Sequence, residues 1–106
     1  MYFWFNLDTS AALLSECKVL VKPASADSIV TSAGQEDYVS MGGFAARKCQ
    51  ALVDNVSKIL GVELLLSLTA ANIIGLKSSE KLNQTLQKVQ EKIKPLVEDR
   101  FFGPEI

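Results

Sequence analysis

A short polar run holds the residues of this chain whose types and spacing best suit chemistry. Gln35, Glu36 and Asp37 are adjacent, and Gly42 and Gly43 follow a few residues later. A carboxylate and a carboxamide at a loop–helix junction can bind an amine or move a proton. Paired glycines near a helix start let a ligand or another backbone approach closely. Because solvated acids are common in loops, the run by itself supports only a hypothesis of a binding or acid–base site.

Composition excludes several other kinds of site. The 106 residues include no histidine, which removes histidine-based proton transfer, Ser-His triads and histidine metal sites from anything the chain does alone. Cys17 and Cys49 lie far apart and form no CxxC pair, so we expect no metal site and two reduced, buried thiols in a cytoplasmic protein. With 11 basic and 12 acidic residues, the chain has no basic excess for binding nucleic acid.

The apolar segments do not predict membrane insertion. Met1–Phe5 is apolar but lacks the positive flank of a signal peptide. The longest apolar stretch, Ile59–Ile74, contains Glu63 and is shorter than the roughly 20 residues of a membrane-spanning helix. We therefore expect a soluble protein with no membrane partner.

Two elements must position the polar run. The first is a helix predicted from Thr9 to about Val21, with Asp8 or Thr9 as its N-cap and Pro23 as the residue that stops it. The second is the loop 22–37, which is rich in Ser, Ala, Asp and Gly and lacks helical periodicity. Residues 28–31 could form a short strand, but nothing nearby is expected to pair with it. A structureless loop of this length is often functional.

A long second helix should follow the loop. It is predicted to begin near Asp37–Ser40, with Asp37 as a candidate N-cap, and to end at Gly75. An apolar seam follows a 4-3-4-3 rhythm along it, made of Ala45, Cys49, Leu52, Val56 and Ile59. Beyond Ile59 most faces are apolar, and a chain of this length has too little other material to cover them. The helix should therefore pack against copies of the chain or against further sequence.

A third helix completes the predicted fold. Ser78 or Ser79 should cap it, Glu80 lies in its first turn, and Pro95 should end or kink it. An irregular tail is expected after Pro95. The fold class predicted from the sequence is therefore all-α, with three helices and one long central helix.

The loop also carries a resemblance to a known family. Pro23–Ile29 (PASADSI) and Thr31–Gly42 (TSAGQEDYVSMG) resemble the signature near the C-terminal end of histidine ammonia-lyases, within the aromatic amino acid ammonia-lyase family. Three further stretches are similar to the same family: Ser15–Leu20, Ala45–Lys48 and Asp99–Ile106. The resemblance runs from Thr9 to Ile106 and does not include residues 1–8. It implies that the chain is a C-terminal segment of the lyase helical domain, with 22–37 as an active-site loop.

The resemblance implies an activity and an assembly. Members of the family eliminate ammonia from an amino acid without hydrolysis, and the histidine enzymes make urocanate in histidine catabolism. Their electrophile is a methylidene-imidazolone ring that forms from an internal Ala-Ser-Gly triad, and no metal is involved. The proteins are cytoplasmic, mainly helical homotetramers with active sites built from several subunits. The three helices would then be part of a larger helical bundle.

Site residues carry over from the family at two positions. Glu36 falls where histidine-specific members have a glutamate near cofactor and substrate, and where relatives acting on aromatic substrates have glutamine. The resemblance therefore implies a catalytic and substrate-binding role for Glu36, a substrate-binding role for Gln35, and histidine as substrate. Phenylalanine or tyrosine is the alternative substrate, because Gly34 replaces the Asn usual in the histidine enzymes and removes a polar side chain beside the pocket. Tyr38 stands where those enzymes usually have His, and no role is assigned to it.

The cofactor triad is absent from this sequence. Ala24-Ser25-Ala26 ends in alanine, whose Cβ would crowd closure of the ring, and Ser32-Ala33-Gly34 has the wrong order. One hypothesis is therefore a piece of a lyase that is inactive alone. The alternative is a gene remnant or a non-catalytic helical oligomerisation module. A membrane-surface helix is disfavoured, because the apolar helix lacks a polar face rich in Lys and Arg.

Overall fold

The computed structural model describes residues 2–75 and 79–93, with side chains described from residue 6 onward. It contains three α-helices: α1, Tyr2–Leu20; α2, Gly42–Ile74; and α3, Glu80–Gln90. Two short 3-10 helices, Ala24–Asp27 and Ser32–Gly34, lie between α1 and α2. No strand forms within these described ranges, and the all-α prediction with a long central helix is confirmed. Pro95 and the tail, for which the sequence made predictions, lie outside the described residues.

The chain divides into two compact units. The first contains the described residues of Met1–Ser10 and Lys58–Ile106, and the second is Ala11–Ser57. The loop between α1 and α2 therefore belongs entirely to the second unit.

Apolar packing in the first unit centres on one face of α2. Val62, Leu65 and Leu68 recur every three residues and are 2%, 3% and 5% exposed. Burying an aliphatic side chain of this size contributes about 1.5–3 kcal/mol. Asn6 of α1 is also buried in this unit, and its carbonyl accepts a hydrogen bond from Ser10 Oγ at 3.1 Å. These residues form the principal core of the first unit.

The end of α2 and the start of α3 match their predicted signals. Gly75 adopts a φ of +65°, which a glycine tolerates and which ends α2. Ser79 is the N-cap of α3, and its side chain accepts a hydrogen bond from Leu82 N at 3.4 Å. Glu80 in the first turn and Lys88 in the last turn complement the helix dipole. Gln90 Nε2 donates to Asn72 Oδ1 at 3.2 Å and so joins α3 to α2.

Two helix starts differ from the prediction. Helix α1 begins at Tyr2, so Asp8 and Thr9 lie inside it and do not cap it. The predicted start of α1 was wrong because a residue that can cap a helix does not prevent an earlier start. Tyr2–Leu20 contains no proline or glycine that would interrupt the helix before residue 9. Helix α2 begins at Gly42, not at Asp37–Ser40. Met41 adopts a φ of +52°, which is incompatible with extending the helix backward toward Asp37.

Buried polar groups also contribute to the second unit. Asn55 is 7% exposed, and its Nδ2 donates to Glu16 Oε2 at 3.0 Å, so this pair joins α2 to α1. Cys17 is buried, as predicted, but Cys49 is exposed and the prediction of two buried thiols is wrong for it. Cys49 lies on the apolar seam, and Ala45 and Val56 of that seam are exposed too. The seam is only partly covered by the described part of this chain.

Helix α2 is long and apolar enough to cross a membrane, judged by length and composition alone. The continuous helix has 33 residues and is therefore longer than the apolar stretch Ile59–Ile74, for which no membrane span was predicted. The core helices of other proteins meet the same criterion, so length and composition do not by themselves assign a membrane span to α2. Only 17% of its most apolar window is buried here, so most of that window is left uncovered.

Candidate functional site

The loop between α1 and α2 carries the predicted site residues. After α1 ends, Pro23 precedes the 3-10 helix Ala24–Asp27, in which Ala24 is buried. The second 3-10 turn, Ser32–Gly34, directly precedes Gln35 and Glu36. The segment predicted to be structureless is therefore organised by two short turns, and the second of them places the site residues.

A single antiparallel bridge closes the second turn. Thr31 N donates to Glu36 O at 2.8 Å, and Glu36 N donates to Thr31 O at 3.4 Å. Gly34 N also donates to Thr31 O, at 3.1 Å. The expectation that nothing nearby pairs with residues 28–31 is therefore wrong for Thr31. Its partner lies five residues ahead, and the pairing does not extend into a strand.

The turn between Thr31 and Glu36 uses unfavourable backbone conformations. Ser32, Ala33 and Gly34 have φ values of 53°, 55° and 85°, all in the left-handed region. Each non-glycine residue in this region costs about 1–2 kcal/mol. Gly34 accommodates the largest φ of the three because it has no Cβ. Three consecutive residues of this kind reverse the chain sharply, and local strain of this type often occurs at functional sites.

The reversal leaves the polar run accessible. Gln35, Glu36 and Asp37 are all exposed, and Tyr38 is 76% exposed. Glu36 Oε2 accepts a hydrogen bond from Thr31 Oγ1 at 3.5 Å. The carboxylate and the neighbouring carboxamide are thus presented together on one tight turn, where they can bind a cation or a hydrogen-bonding ligand. A complete binding site requires groups beyond this turn.

Two anchors that the sequence analysis missed hold the loop. Ser28 Oγ accepts a hydrogen bond from Val39 N at 2.7 Å, which closes the segment around the turn. Lys48 Nζ, on the second turn of α2, donates to the carbonyl of Lys22. The signal for Ser28 was available, because serine hydroxyls in loops commonly bond backbone groups. No local pattern indicated Lys48, because its partner lies far away in sequence.

The two glycines at the start of α2 have no crowded surroundings within this chain. A Cβ on Gly42 would lie 3.8 Å from Ser40 Oγ, and one on Gly43 would lie 3.9 Å from Arg47 Nη1. Both are ordinary contact distances. The predicted close approach of a ligand or backbone is therefore not made by the described part of this chain. Beside them, the Phe44 ring lies 5.3 Å from Lys48 Nζ, within cation–π range.

The second unit also contains a cavity of about 300 Å³. It is lined by the end of α1, the start of the loop and the first turns of α2, including Leu20, Cys49 and Leu52. Neither Gln35 nor Glu36 lines it. The cavity and the polar turn are therefore separate features of the same unit.

Residues 2–75 and 79–93 contain no group of three His, Cys, Asp or Glu side chains placed to hold a metal ion. Ser25 lies between Ala24 and Ala26 within a 3-10 helix, and Ser32-Ala33-Gly34 forms the left-handed turn. Neither run is an Ala-Ser-Gly sequence.

A family model and individual relatives match this chain, and both belong to the aromatic amino acid lyases. The family model for aromatic amino acid lyases matches residues 7–91. Histidine ammonia-lyase of Deinococcus radiodurans is 45% identical over 98 residues, covering 92% of this chain and 19% of the relative. That of Mus musculus is 42% identical over 99 residues, covering 92% of this chain and 15% of the relative. This chain thus spans less than a fifth of these relatives.

A solved structure agrees with the sequence matches. The crystal structure of histidine ammonia-lyase from Trypanosoma cruzi superposes with a TM-score of 0.83 at 45% identity. The match covers 92% of this chain and 19% of that one. The helices and the loop described above are therefore similar to one segment of a much longer protein.

Proposed function

Because the chain belongs to the aromatic amino acid lyase family, we propose that it forms part of a histidine ammonia-lyase. The reaction is the elimination of ammonia from L-histidine to give urocanate, a step of histidine catabolism. The observation that carries the proposal is the strained turn that presents Gln35 and Glu36 together, with the Glu36 carboxylate exposed. The similarity to histidine ammonia-lyases supports the choice of reaction.

The chemistry that falls to this loop is binding and proton handling. Elimination breaks the bond between the α-carbon and nitrogen, so ammonia leaves with that electron pair, and a β-proton is lost. In the proposal, Glu36 pairs with the substrate ammonium or imidazole, or accepts a proton. Gln35 can donate or accept a hydrogen bond beside it. Both groups would act on a substrate held by further residues.

The electrophile of the proposed reaction must come from outside this chain. A methylidene-imidazolone ring supplies electron-withdrawing chemistry that activates the substrate for loss of ammonia. We place its Ala-Ser-Gly precursor in a part of the lyase not included in this sequence. The proposed role of residues 22–37 is then that of an active-site loop that completes the pocket with Gln35 and Glu36.

Glu36 also supports histidine as the substrate. A carboxylate can pair with the imidazole ring of histidine, whereas the phenyl ring of phenylalanine offers it no hydrogen-bond donor. Phenylalanine or tyrosine remains the alternative, because Gly34 places no polar side chain beside Gln35. Measuring all three amino acids as substrates would distinguish these possibilities.

The exposed face of α2 supports an assembled protein. Ala45, Cys49 and Val56 of its seam are exposed, and the exposed fractions of Leu60 and Leu64 are 56% and 41%. Exposed apolar side chains on one helix favour association with another protein surface. We propose that this C-terminal segment packs within a cytoplasmic homotetramer of the lyase. The same face supports the second candidate function, a helical oligomerisation module without catalysis.

The test uses the complete protein that contains this segment and the cofactor triad. Glu36→Gln should lower urocanate formation from L-histidine by at least about 100-fold, in the range found for loss of an acid–base group. Asp37→Asn is the matched control, because Asp37 is the adjacent exposed acid and has no assigned role. The chain alone should form no urocanate. Equal rates for wild type and Glu36→Gln would contradict the proposed site.

A further inference from the structure

The two oxygens of the Glu36 carboxylate have different surroundings. Oε2 accepts the hydrogen bond from Thr31 Oγ1 at 3.5 Å. Within residues 2–75 and 79–93, no donor forms a hydrogen bond to Oε1. One oxygen is therefore hydrogen-bonded to Thr31, and the other makes no hydrogen bond within these residues.

Thr31 is well placed to hold the carboxylate, because its backbone and its side chain act on the same residue. Its amide and carbonyl make the two bridge hydrogen bonds to Glu36, which set the Glu36 backbone opposite Thr31. Thr31 is half-buried, whereas Glu36 is exposed. The branched Cβ of threonine also restricts its side-chain rotation. A restrained donor therefore faces a carboxylate on an otherwise accessible side chain.

The hydroxyl of Thr31 does not cap the 3-10 turn that follows it. Thr31 occupies the N-cap position of the 3-10 turn Ser32–Gly34, where threonine hydroxyls commonly accept hydrogen bonds from the turn amides. No such side-chain cap forms here, and the hydroxyl donates to Glu36 instead. The contact is therefore made in place of local capping.

We propose that Thr31 is a positioning residue for Glu36: its hydroxyl holds Oε2 and directs Oε1 toward the amino acid substrate. The proposal rests on the proposed function, because it assumes that the Glu36 carboxylate acts on the substrate. Thr31 itself does not touch the substrate. Its contribution is to limit the orientations of a carboxylate whose backbone is already fixed by the bridge.

The experiment compares Thr31→Val and Thr31→Ser in the complete lyase with L-histidine. Valine keeps the branched shape and removes the hydroxyl, whereas serine keeps the hydroxyl. We expect Thr31→Val to lower kcat about tenfold with KM within about twofold, and Thr31→Ser to restore most of kcat. Thr85→Val is the matched control, because it removes a threonine hydroxyl on α3 that donates to the Lys81 carbonyl. It should leave kcat unchanged.

Amide hydrogen exchange checks that the bridge survives the substitution. Protection of the Thr31 and Glu36 amides should be equal in wild type and Thr31→Val, because both bridge hydrogen bonds use backbone atoms. Wild-type kcat in Thr31→Val would overturn the inference. Equal losses in Thr31→Val and Thr31→Ser would also overturn it, because the hydroxyl would then not be the cause.

The Glu36→Gln variant separates this inference from the function on which it rests. If Glu36→Gln loses activity while Thr31→Val does not, only the positioning role of Thr31 fails. If Glu36→Gln is as active as wild type, the proposed function of Glu36 fails and the positioning role fails with it. Loss in Glu36→Gln and Thr31→Val, with rescue by Thr31→Ser, would support both.

Discussion

The buried face of α2 in the first unit and the loop in the second unit are stabilised in opposite ways. Val62, Leu65 and Leu68 are nearly inaccessible and lie on one regular helical face. The turn at Ser32–Gly34 is exposed, adopts left-handed conformations and depends on a few hydrogen bonds. The face gains free energy from burial, whereas the turn spends part of the folding free energy on strain. The difference shows that the residues suited to chemistry are held by specific hydrogen bonds, not by packing.

The largest expected effect on stability comes from a substitution in the buried face of α2. Leu65→Ala should lower the free energy of unfolding by about 2–5 kcal/mol, because it removes buried methyl groups and leaves a cavity. Leu64→Ala is the control, because Leu64 is 41% exposed on the same helix. Urea denaturation of the chain would measure both. Equal effects of the two substitutions would show that the face described here is not the core of its unit.

A smaller effect is expected where the second unit depends on a buried polar pair. Asn55→Ala should destabilise the chain by about 1–3 kcal/mol, because it removes the donor to Glu16 Oε2 and leaves a gap at a buried position. Glu16→Gln retains an acceptor oxygen and should cost less. The same denaturation assay would compare them. A larger effect for Glu16→Gln than for Asn55→Ala would argue that the charge of Glu16 matters more than this hydrogen bond.

The smallest expected effect on stability comes from a substitution in the left-handed turn Ser32–Gly34. Gly34→Ala should destabilise by about 1–2 kcal/mol through backbone strain alone, because an added Cβ meets nothing within 4 Å. Gly43→Ala is the matched control, since Gly43 lies in α2 and alanine there should be neutral or stabilising by up to about 1 kcal/mol. Thermal unfolding would measure the pair. Equal stability of the two variants would mean that the turn does not require its left-handed φ at residue 34.

Local sequence signals predicted the element types, the end of α2 and the start of α3, but not the starts of α1 and α2. Gly75 ends α2 and Ser79 caps the start of α3, as predicted, because each acts on backbone groups within a few residues. The start of α1 was missed because Asp8 can cap a helix but does not prevent one from beginning earlier. The start of α2 was missed because Met41 adopts a positive φ that its residue type does not announce.

The candidate site also has a part that the sequence predicted and a part that only the structure revealed. The polar run at Gln35 and Glu36 was visible in the sequence, and its resemblance to the lyases suggested a role. The partners that shape it, Thr31 and Ser28, were not identified as such. Hydroxyl residues abound in this loop, and sequence does not show which of them meets which backbone group.

The sequence by itself determined the helical class, the long apolar helix and the family, because periodicity, composition and an ordered loop signature are properties of the chain alone. Only the tertiary structure decided that Thr31 bridges Glu36, that Lys48 holds the carbonyl of Lys22, and that Asn55 pairs with Glu16. These contacts join residues through the folded backbone. Their geometry depends on where a turn reverses the chain and on how two helices meet, which no single stretch of residues specifies.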